Sequence, residues 1–173
     1  MKKMLFLAAA AGVLSFIGCG GGDSKDEVSY SVAPEDGPRF TAMSEECVRD
    51  NKTTLIWARA ASVQRSWQDA VDFCNDATNG GYSDWRLPSK EDLETLLAVP
   101  HDELVFVPNH QQATVYWSST EYWDPEGFYV PGSSAWSVSL PSIGDDVRFY
   151  NKSLDNAAWP VRGTNSYYGL AAR

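Results

Sequence analysis

Two segments of the chain carry apolar residues at the spacing of an amphipathic helix. The first has apolar positions i, i+3, i+4 and i+7, which are Trp67, Ala70, Val71 and Cys74. Ser66 stands before this segment and Asp69 stands three residues later, the pattern of a capping box. These signals predict a helix that begins after Ser66 and ends at Asn79-Gly80-Gly81, where glycine favours a helix C-cap.

The second helical segment begins at Ser89, with an acidic residue three positions on at Asp92. Its apolar stripe consists of Leu93, Leu96 and Leu97. Pro100 cannot continue a helix, so we expect the helix to end before it.

Beyond Pro100 the pattern changes to short runs of β-branched and aromatic residues, several of which alternate with polar ones. Such runs occupy 115–120, 135–140, 147–150 and 158–162, and an earlier one follows a polar turn at 51–57. The fold class predicted is α+β, with two helices packed on a small, mostly antiparallel sheet and with long loops.

The first residues resemble an export signal. Lys2 and Lys3 precede the apolar run Met4–Ile17, which is too short to span a bilayer. The run ends in Phe-Ile-Gly-Cys, which looks like a bacterial lipobox and predicts lipidation of Cys19; ordinary secretion with a bystander cysteine is the alternative. We therefore expect a signal peptide at 1–19, a flexible acidic linker at 20–38 and a folded domain at 39–173. Such a protein is anchored in the cell envelope, at the outer membrane or cell surface, and contacts the membrane through its lipid only.

Net charge excludes one class of partner. The chain has 14 basic and 23 acidic residues, and removal of Lys2 and Lys3 would change its net charge from −9 to −11. Nucleic-acid binding requires clustered basic residues that displace counterions, so we expect no nucleic-acid partner.

Two cysteines remain once Cys19 is assigned to lipid. In an oxidising compartment, Cys47 and Cys74 predict a disulfide, which the loop-entropy model credits with roughly 3 kcal/mol. Two free buried thiols are the alternative.

Several motifs resemble one known family in sequence order. They are C-V-R-D-N-K-T-T-L-I-W at 47–57, W-Q-D-A at 67–70, G-Y-S-D-W-R-L-P at 81–88, Y-W-S-S-T at 116–120 and V-R at 161–162. Together they resemble the Lcl C-terminal domain family, named for the adhesive head of a collagen-like bacterial surface protein and long described as a domain of unknown function. One departure is Thr54, which stands where the family usually has glycine.

The resemblance implies a C-type-lectin-like fold and an extracellular binding module, not an enzyme. Some family members attach to sulfated glycosaminoglycans, but a net charge of −11 opposes binding to anionic polymers. The family's namesake head leaves a trimer open, so an oligomer is compatible with the sequence.

The block Asp84-Trp85-Arg86-Leu87-Pro88 has two interpretations. Arg86 is a candidate for gripping a ligand carboxylate. The favoured interpretation is structural: Trp85 and Leu87 fill the core, Asp84 pairs with Arg86, and Pro88 leads into the helix.

Catalytic and metal sites have weak candidates. Ser118 and Ser119 lack a nucleophile-elbow motif around them, so we assign no catalytic residue. Asp145 and Asp146 form an acidic pair that would suit one Ca²⁺ ion, or more simply a solvated turn. No other cofactor is expected.

The segment 121–134 is the best functional candidate. It combines glycine and proline with four aromatic residues, Tyr122, Trp123, Phe128 and Tyr129. Aromatic side chains on a loop suit stacking on sugars or contact with a protein, although they also suit covering a small core. The function predicted is recognition of a glycan or matrix component, and the alternative is a protein-interaction or envelope-assembly module that binds a polypeptide.

Overall fold

The computed structural model describes residues 37–108 and 112–166. Cys19 and the linker as far as residue 36 lie outside the described residues, as does the stretch 167–173. Within the described residues, the structure contains no helix that is long and apolar enough to cross a membrane.

The fold is α+β, as predicted, and it contains two small antiparallel sheets where the sequence suggested one. The first sheet has the order β1-β2-β3-β7, and the second has the order β4-β5-β6. The strands are β1 (Phe40–Ala42), β2 (Cys47–Asp50), β3 (Ile56–Ala58), β4 (Thr114–Glu121), β5 (Ser134–Leu140), β6 (Val147–Asn151) and β7 (Val161–Arg162).

Both predicted helices are present, and both begin where their caps predict. The first, α1, spans Trp67–Asn75 behind Ser66, whose side chain accepts a hydrogen bond from the backbone N–H of Asp69. The second, α2, spans Lys90–Glu94 and has a complete capping box between Ser89 and Asp92. Local side-chain chemistry therefore determines where each helix begins.

The predicted end of α1 was wrong. The helix stops at Asn75, and Asn79–Gly81 forms a separate 3-10 turn. Gly80 has φ +63°, and a Cβ atom there would lie 2.7 Å from the Cys47 Sγ atom. Glycine is therefore needed here for two reasons: it allows the chain to approach β2 closely, and it allows a left-handed backbone conformation.

The larger of the buried clusters joins both sheets to α2. At its centre Trp159 packs against Trp57 and Tyr116, with ring centroids 4.6 Å and 5.4 Å away. Leu93 in α2 is buried, as predicted, but the helix ends at Glu94 and not close to Pro100, so Leu96, which is also buried, lies in the turns that follow it. The core side of α2 thus faces β4 and β5.

A second cluster fills the space between α1 and the other face of β4 and β5. It contains Cys74, Leu87 and Trp117, all essentially inaccessible to solvent. The indole N–H of Trp117 donates to the Arg65 carbonyl over 2.9 Å, which satisfies its polar atom inside the core. Strands β4 and β5 are consequently covered on both faces, whereas no residue of β6 is fully buried.

The last strand closes the first sheet. β7 pairs with β3, and Val161 also forms a bridge with Arg86. Just beyond β7, Ser166 donates from its backbone N–H and its hydroxyl to the Thr53 carbonyl, over 3.0 Å and 3.1 Å. Residues far apart in sequence therefore hold this sheet together.

Candidate binding surface

The loop between β4 and β5 spans residues 122–133 and presents most of its apolar side chains to solvent. Trp123 is 72% exposed, Phe128 is 79% exposed and Val130 is 74% exposed. Tyr129 is 49% exposed, whereas Tyr122 is half-buried. The loop is divided: the Tyr122 side chain folds back onto the sheet, and the other three aromatic side chains remain accessible to solvent.

Tyr122 folds back onto aromatic residues of the sheet. Its ring stacks on that of Phe149 at a centroid distance of 3.8 Å and an interplanar angle of 2°. Trp136 meets the Tyr122 ring edge-on at 5.3 Å, and Tyr129 meets it edge-on at 6.2 Å. Trp136 and Phe149 are register partners on β5 and β6. The loop therefore rests on a cross-strand aromatic pair.

Six side chains make up what we call the aromatic surface. They are Tyr122, Trp123, Phe128, Tyr129, Trp136 and Phe149. Trp136 and Phe149 were not predicted to belong to it, because their sequence pattern indicates strands of the sheet. The available signal was alternation: Trp136 and Phe149 are flanked by residues that face the opposite side of their strands.

Asp124 organises the tip of the loop. Its carboxylate accepts hydrogen bonds from the backbone N–H of Glu126 over 3.0 Å and from that of Tyr129 over 2.8 Å. Partial burial raises the pKa of Asp124, but the backbone donors, led by Tyr129, outweigh it and hold the pKa below its usual value. A charged Asp124 therefore closes the turn from which Phe128 projects.

The surroundings of the aromatic surface are mostly acidic. Glu121, Asp124 and Glu126 lie in or beside the loop, and the sequence has no lysine or arginine from 121 to 134. Two lysines approach from other elements: Lys90 lies 5.2 Å from the Trp136 ring centroid, and Lys152 pairs with Glu121 over 3.2 Å. Burial, followed by the charge of Asp124, raises the pKa of Tyr122. A sulfated ligand would meet an unfavourable potential here.

The block at 84–88 has the predicted structural role at two positions, but one predicted ion pair within it is wrong. Trp85 and Leu87 are buried, as predicted. The predicted pairing of Asp84 with Arg86 is wrong, because each has a different partner. Asp84 pairs with Arg162 over 2.6 Å, which lowers the pKa of the Asp84 carboxyl through their hydrogen bonds.

Arg86 instead binds a buried carboxylate at the start of α2. Its Nη1 atom lies 2.8 Å from the Asp92 Oδ2 atom, and its Nη2 atom donates to the Gly163 carbonyl over 3.0 Å. Asp92 is 2% exposed and also accepts hydrogen bonds from the Ser89 backbone and the Asn165 side chain. The guanidinium is thus occupied in joining the motif, the second helix and the chain beyond β7.

The predicted disulfide is absent from the structure. Cys47 and Cys74 are both free, buried thiols, and they belong to different clusters. Cys47 packs with Ala58 and Trp85, whereas Cys74 faces the second sheet from α1. Burial, only partly offset by the charge of Arg65, raises the pKa of the Cys74 thiol to about 12.

The acidic pair at 145–146 is engaged in protein contacts. Asp146 is buried and accepts hydrogen bonds from the Ser142 hydroxyl and the backbone N–H groups of Ile143 and Gly144. Asp145 pairs with Arg148 over 2.5 Å. Among the described residues, no group of three or more His, Cys, Asp or Glu side chains is arranged to hold a metal ion.

The strand serines make backbone contacts. Ser118 is buried, and its hydroxyl donates to the Trp136 carbonyl over 2.8 Å. The backbone N–H of Ser119 donates to the Pro88 carbonyl over 2.7 Å. These bonds attach β4 to β5 and to the beginning of α2.

Comparison with known proteins gives one family. The family model of the Lcl C-terminal domain matches residues 46–162. This range includes both helices and the whole aromatic surface, and it begins after β1. A search of curated proteins found no match.

Proposed function

Because the chain belongs to the Lcl C-terminal domain family, we propose that it is a non-enzymatic binding module that recognises a glycan or an extracellular matrix component through the aromatic surface. In this proposal the domain has a C-type-lectin-like fold. A lipid on Cys19 holds it at the cell envelope, with the domain exposed.

The observation that carries the proposal is the exposure of Trp123 and Phe128, at 72% and 79%, on a loop whose base is fixed. Large exposed aromatic side chains are costly to leave in water unless they meet a partner. The Tyr122–Phe149 stack and the Asp124 turn hold the loop in place before any ligand arrives. Preorganisation of this kind lowers the entropic cost of binding.

The charge of the loop narrows the class of ligand. Three carboxylates and no basic residue at 121–134 favour a neutral or amine-bearing sugar over a sulfated one. Aromatic rings stack well on the apolar faces of neutral sugars, and edge hydroxyls would then meet the carboxylates.

The test is a glycan array probed with the purified protein, once with Ca²⁺ and once with a chelator. We expect selective binding to neutral or amino sugars. Trp123→Ala or Phe128→Ala should weaken it about five- to 150-fold, since loss of a stacking residue costs about 1–3 kcal/mol. Val63→Ala is the matched control, because Val63 is 80% exposed and lies outside the aromatic surface. Loss of binding in the chelator would assign a Ca²⁺ ion to recognition.

Two results would count against the glycan proposal. Array binding that Trp123→Ala and Phe128→Ala leave unchanged would place recognition elsewhere. A blank array would favour the alternative, a polypeptide partner, and capture of one envelope protein that depends on Trp123 would support it. Melting temperatures should stay unchanged in both variants, and a clear fall would mean that these residues belong to the core.

A further inference from the structure

A cleft of about 620 Å³ opens between β1 and residues 102–106, which include part of the 3-10 turn His101–Glu103. Its volume lies within the range of ordinary small-molecule sites, roughly 300–1,000 Å³. It shares no lining residue with the aromatic surface. The cleft is therefore separate from the surface to which the proposed function is assigned.

Two phenylalanine side chains, Phe40 and Phe106, line the floor of the cleft. Phe40 and Phe106 pack with their ring centroids 4.5 Å apart. The ring centroids of Phe106 and Trp159 are 5.9 Å apart, so the floor of the cleft contacts the main hydrophobic core. Val105, at 65% exposed, stands at the cleft as an accessible apolar side chain. The cleft thus presents an apolar surface that exists without a ligand.

Four charged residues line the same cleft, and one of them, Arg39, already has an ion-pair partner. The Arg39 guanidinium donates to both Asp50 carboxylate oxygens, at 3.3 Å and 3.0 Å, and to the Thr95 carbonyl at 2.9 Å. Since Asp50 is fully buried, this pairing is structural.

The other three charges are available to a ligand. Arg59, Asp102 and Glu103 are exposed, and none has an ion-pair partner among the described residues. Although they line one cleft, the guanidinium and the two carboxylates do not pair with each other. The cleft therefore presents one uncommitted positive group and two uncommitted negative groups around an apolar floor.

We infer that this cleft binds a zwitterionic ligand with an apolar body, the chemistry of an apolar amino acid or a short apolar peptide. The ligand carboxylate pairs with Arg59, whose planar guanidinium suits two parallel hydrogen bonds to a carboxylate. The ligand ammonium group lies towards Asp102 and Glu103. The apolar side chain rests on Phe40 and Phe106. A purely anionic or purely cationic ligand would leave one side of the cleft uncompensated.

The test uses calorimetric titration of the purified protein with three matched probes. L-Phenylalanine carries both charges, L-phenylalaninamide lacks the carboxylate, and N-acetyl-L-phenylalanine lacks the ammonium group. We expect the zwitterion to bind about tenfold more tightly than either blocked form, the scale of one charge-assisted hydrogen bond. Parallel titrations with the dipeptide and tripeptide of phenylalanine identify which spacing of charges the cleft prefers.

Two variants assign each charge to its partner. Arg59→Gln should abolish the preference for phenylalanine over its amide, and the double variant Asp102→Asn/Glu103→Gln should abolish the preference over the N-acetyl form. Arg49→Gln is the control, because Arg49 is exposed on β2 and does not line the cleft. All four substituted positions are exposed, so melting temperatures should not change.

The inference is overturned if none of the probes, peptides included, shows saturable binding at millimolar concentration. It is also overturned if the preferences persist in Arg59→Gln and in the double variant, since binding would then occur elsewhere. Equal affinity for the zwitterion and both blocked forms would show that the charges of the cleft do not select the ligand.

Discussion

Replacement of Arg86 by alanine tests whether the central motif is a ligand site or a structural joint. The variant removes the ion pair with Asp92, whose side chain is 3% exposed, and the bond to the Gly163 carbonyl. Breaking a buried ion pair costs about 3–5 kcal/mol, because a charge remains without its partner.

The cost at Arg86 should be smaller than that range. The Arg86 side chain is 37% exposed, so water can enter the space it leaves, and Asp92 keeps its bonds to Ser89 and Asn165. We expect a loss of about 2–3 kcal/mol in the free energy of unfolding, measured by urea denaturation with tryptophan fluorescence. Arg148→Ala is the control, because the Arg148 and Asp145 side chains are 56% and 72% exposed and such pairs contribute less than about 1 kcal/mol.

A double-mutant cycle separates the pair from its surroundings. Arg86→Ala and Asp92→Asn should show a coupling energy of about 1 kcal/mol or more, since the two groups are in direct contact. The reasoning is refuted if Arg86→Ala unfolds within about 0.5 kcal/mol of the parent protein. A stable Arg86→Ala variant that also loses a ligand would return Arg86 to the binding residues.

Two further predictions concern the backbone and the thiols. Thr54 adopts φ +66°, which costs a residue with a Cβ atom about 1–2 kcal/mol. Thr54→Gly should therefore raise the free energy of unfolding by about 0.5–1 kcal/mol, although it loses the hydrogen bond from the Thr54 hydroxyl to the Thr164 carbonyl. Thr54→Ala, the control, should not raise the free energy of unfolding. A glycine variant that is less stable than the parent protein in urea denaturation would refute the strain argument. Cys47 and Cys74 should be inert to a thiol-disulfide reagent in the native protein and should both react in denaturant without reductant. If the protein is isolated from an oxidising compartment and neither thiol reacts with the reagent in denaturant, the two cysteines form a disulfide.

Local signals predicted the parts of the fold that local chemistry determines. Ser66 and Ser89 mark the beginnings of the two helices, because capping depends on residues three positions apart. The alternating run at 135–140 became a strand that is one residue longer. The class α+β follows from these elements.

Features of the fold that depend on residues far apart in the sequence could not be predicted from local sequence signals. Strands β1 and β2 have three and four residues, and each exists because a neighbouring strand supplies its hydrogen bonds. The partner of Asp84 is 78 residues away, at Arg162. An alternating pattern cannot show that Asp84 and Arg86 bind different partners.

The candidate site likewise has one part that local sequence predicts and one part that depends on distant residues. The loop aromatics were identifiable from composition, since glycine and proline mark the segment as irregular. The stack of Tyr122 on Phe149 depends on the register of β5 with β6, which brings Trp136 opposite Phe149. Sequence reasoning therefore found the loop but not the sheet residues on which it rests.

The bonds from Ser166 to Thr53 span 113 residues and have a consequence for synthesis. A chain still attached to the ribosome cannot complete the first sheet until β7 and the residues just beyond it have emerged. Contacts of such long range also make folding slow, because a large loop must close before they form. The tryptophans that pack beside the first sheet therefore stay accessible until β7 and Ser166 have joined it, and truncation before Ser166 should lower the stability of the domain.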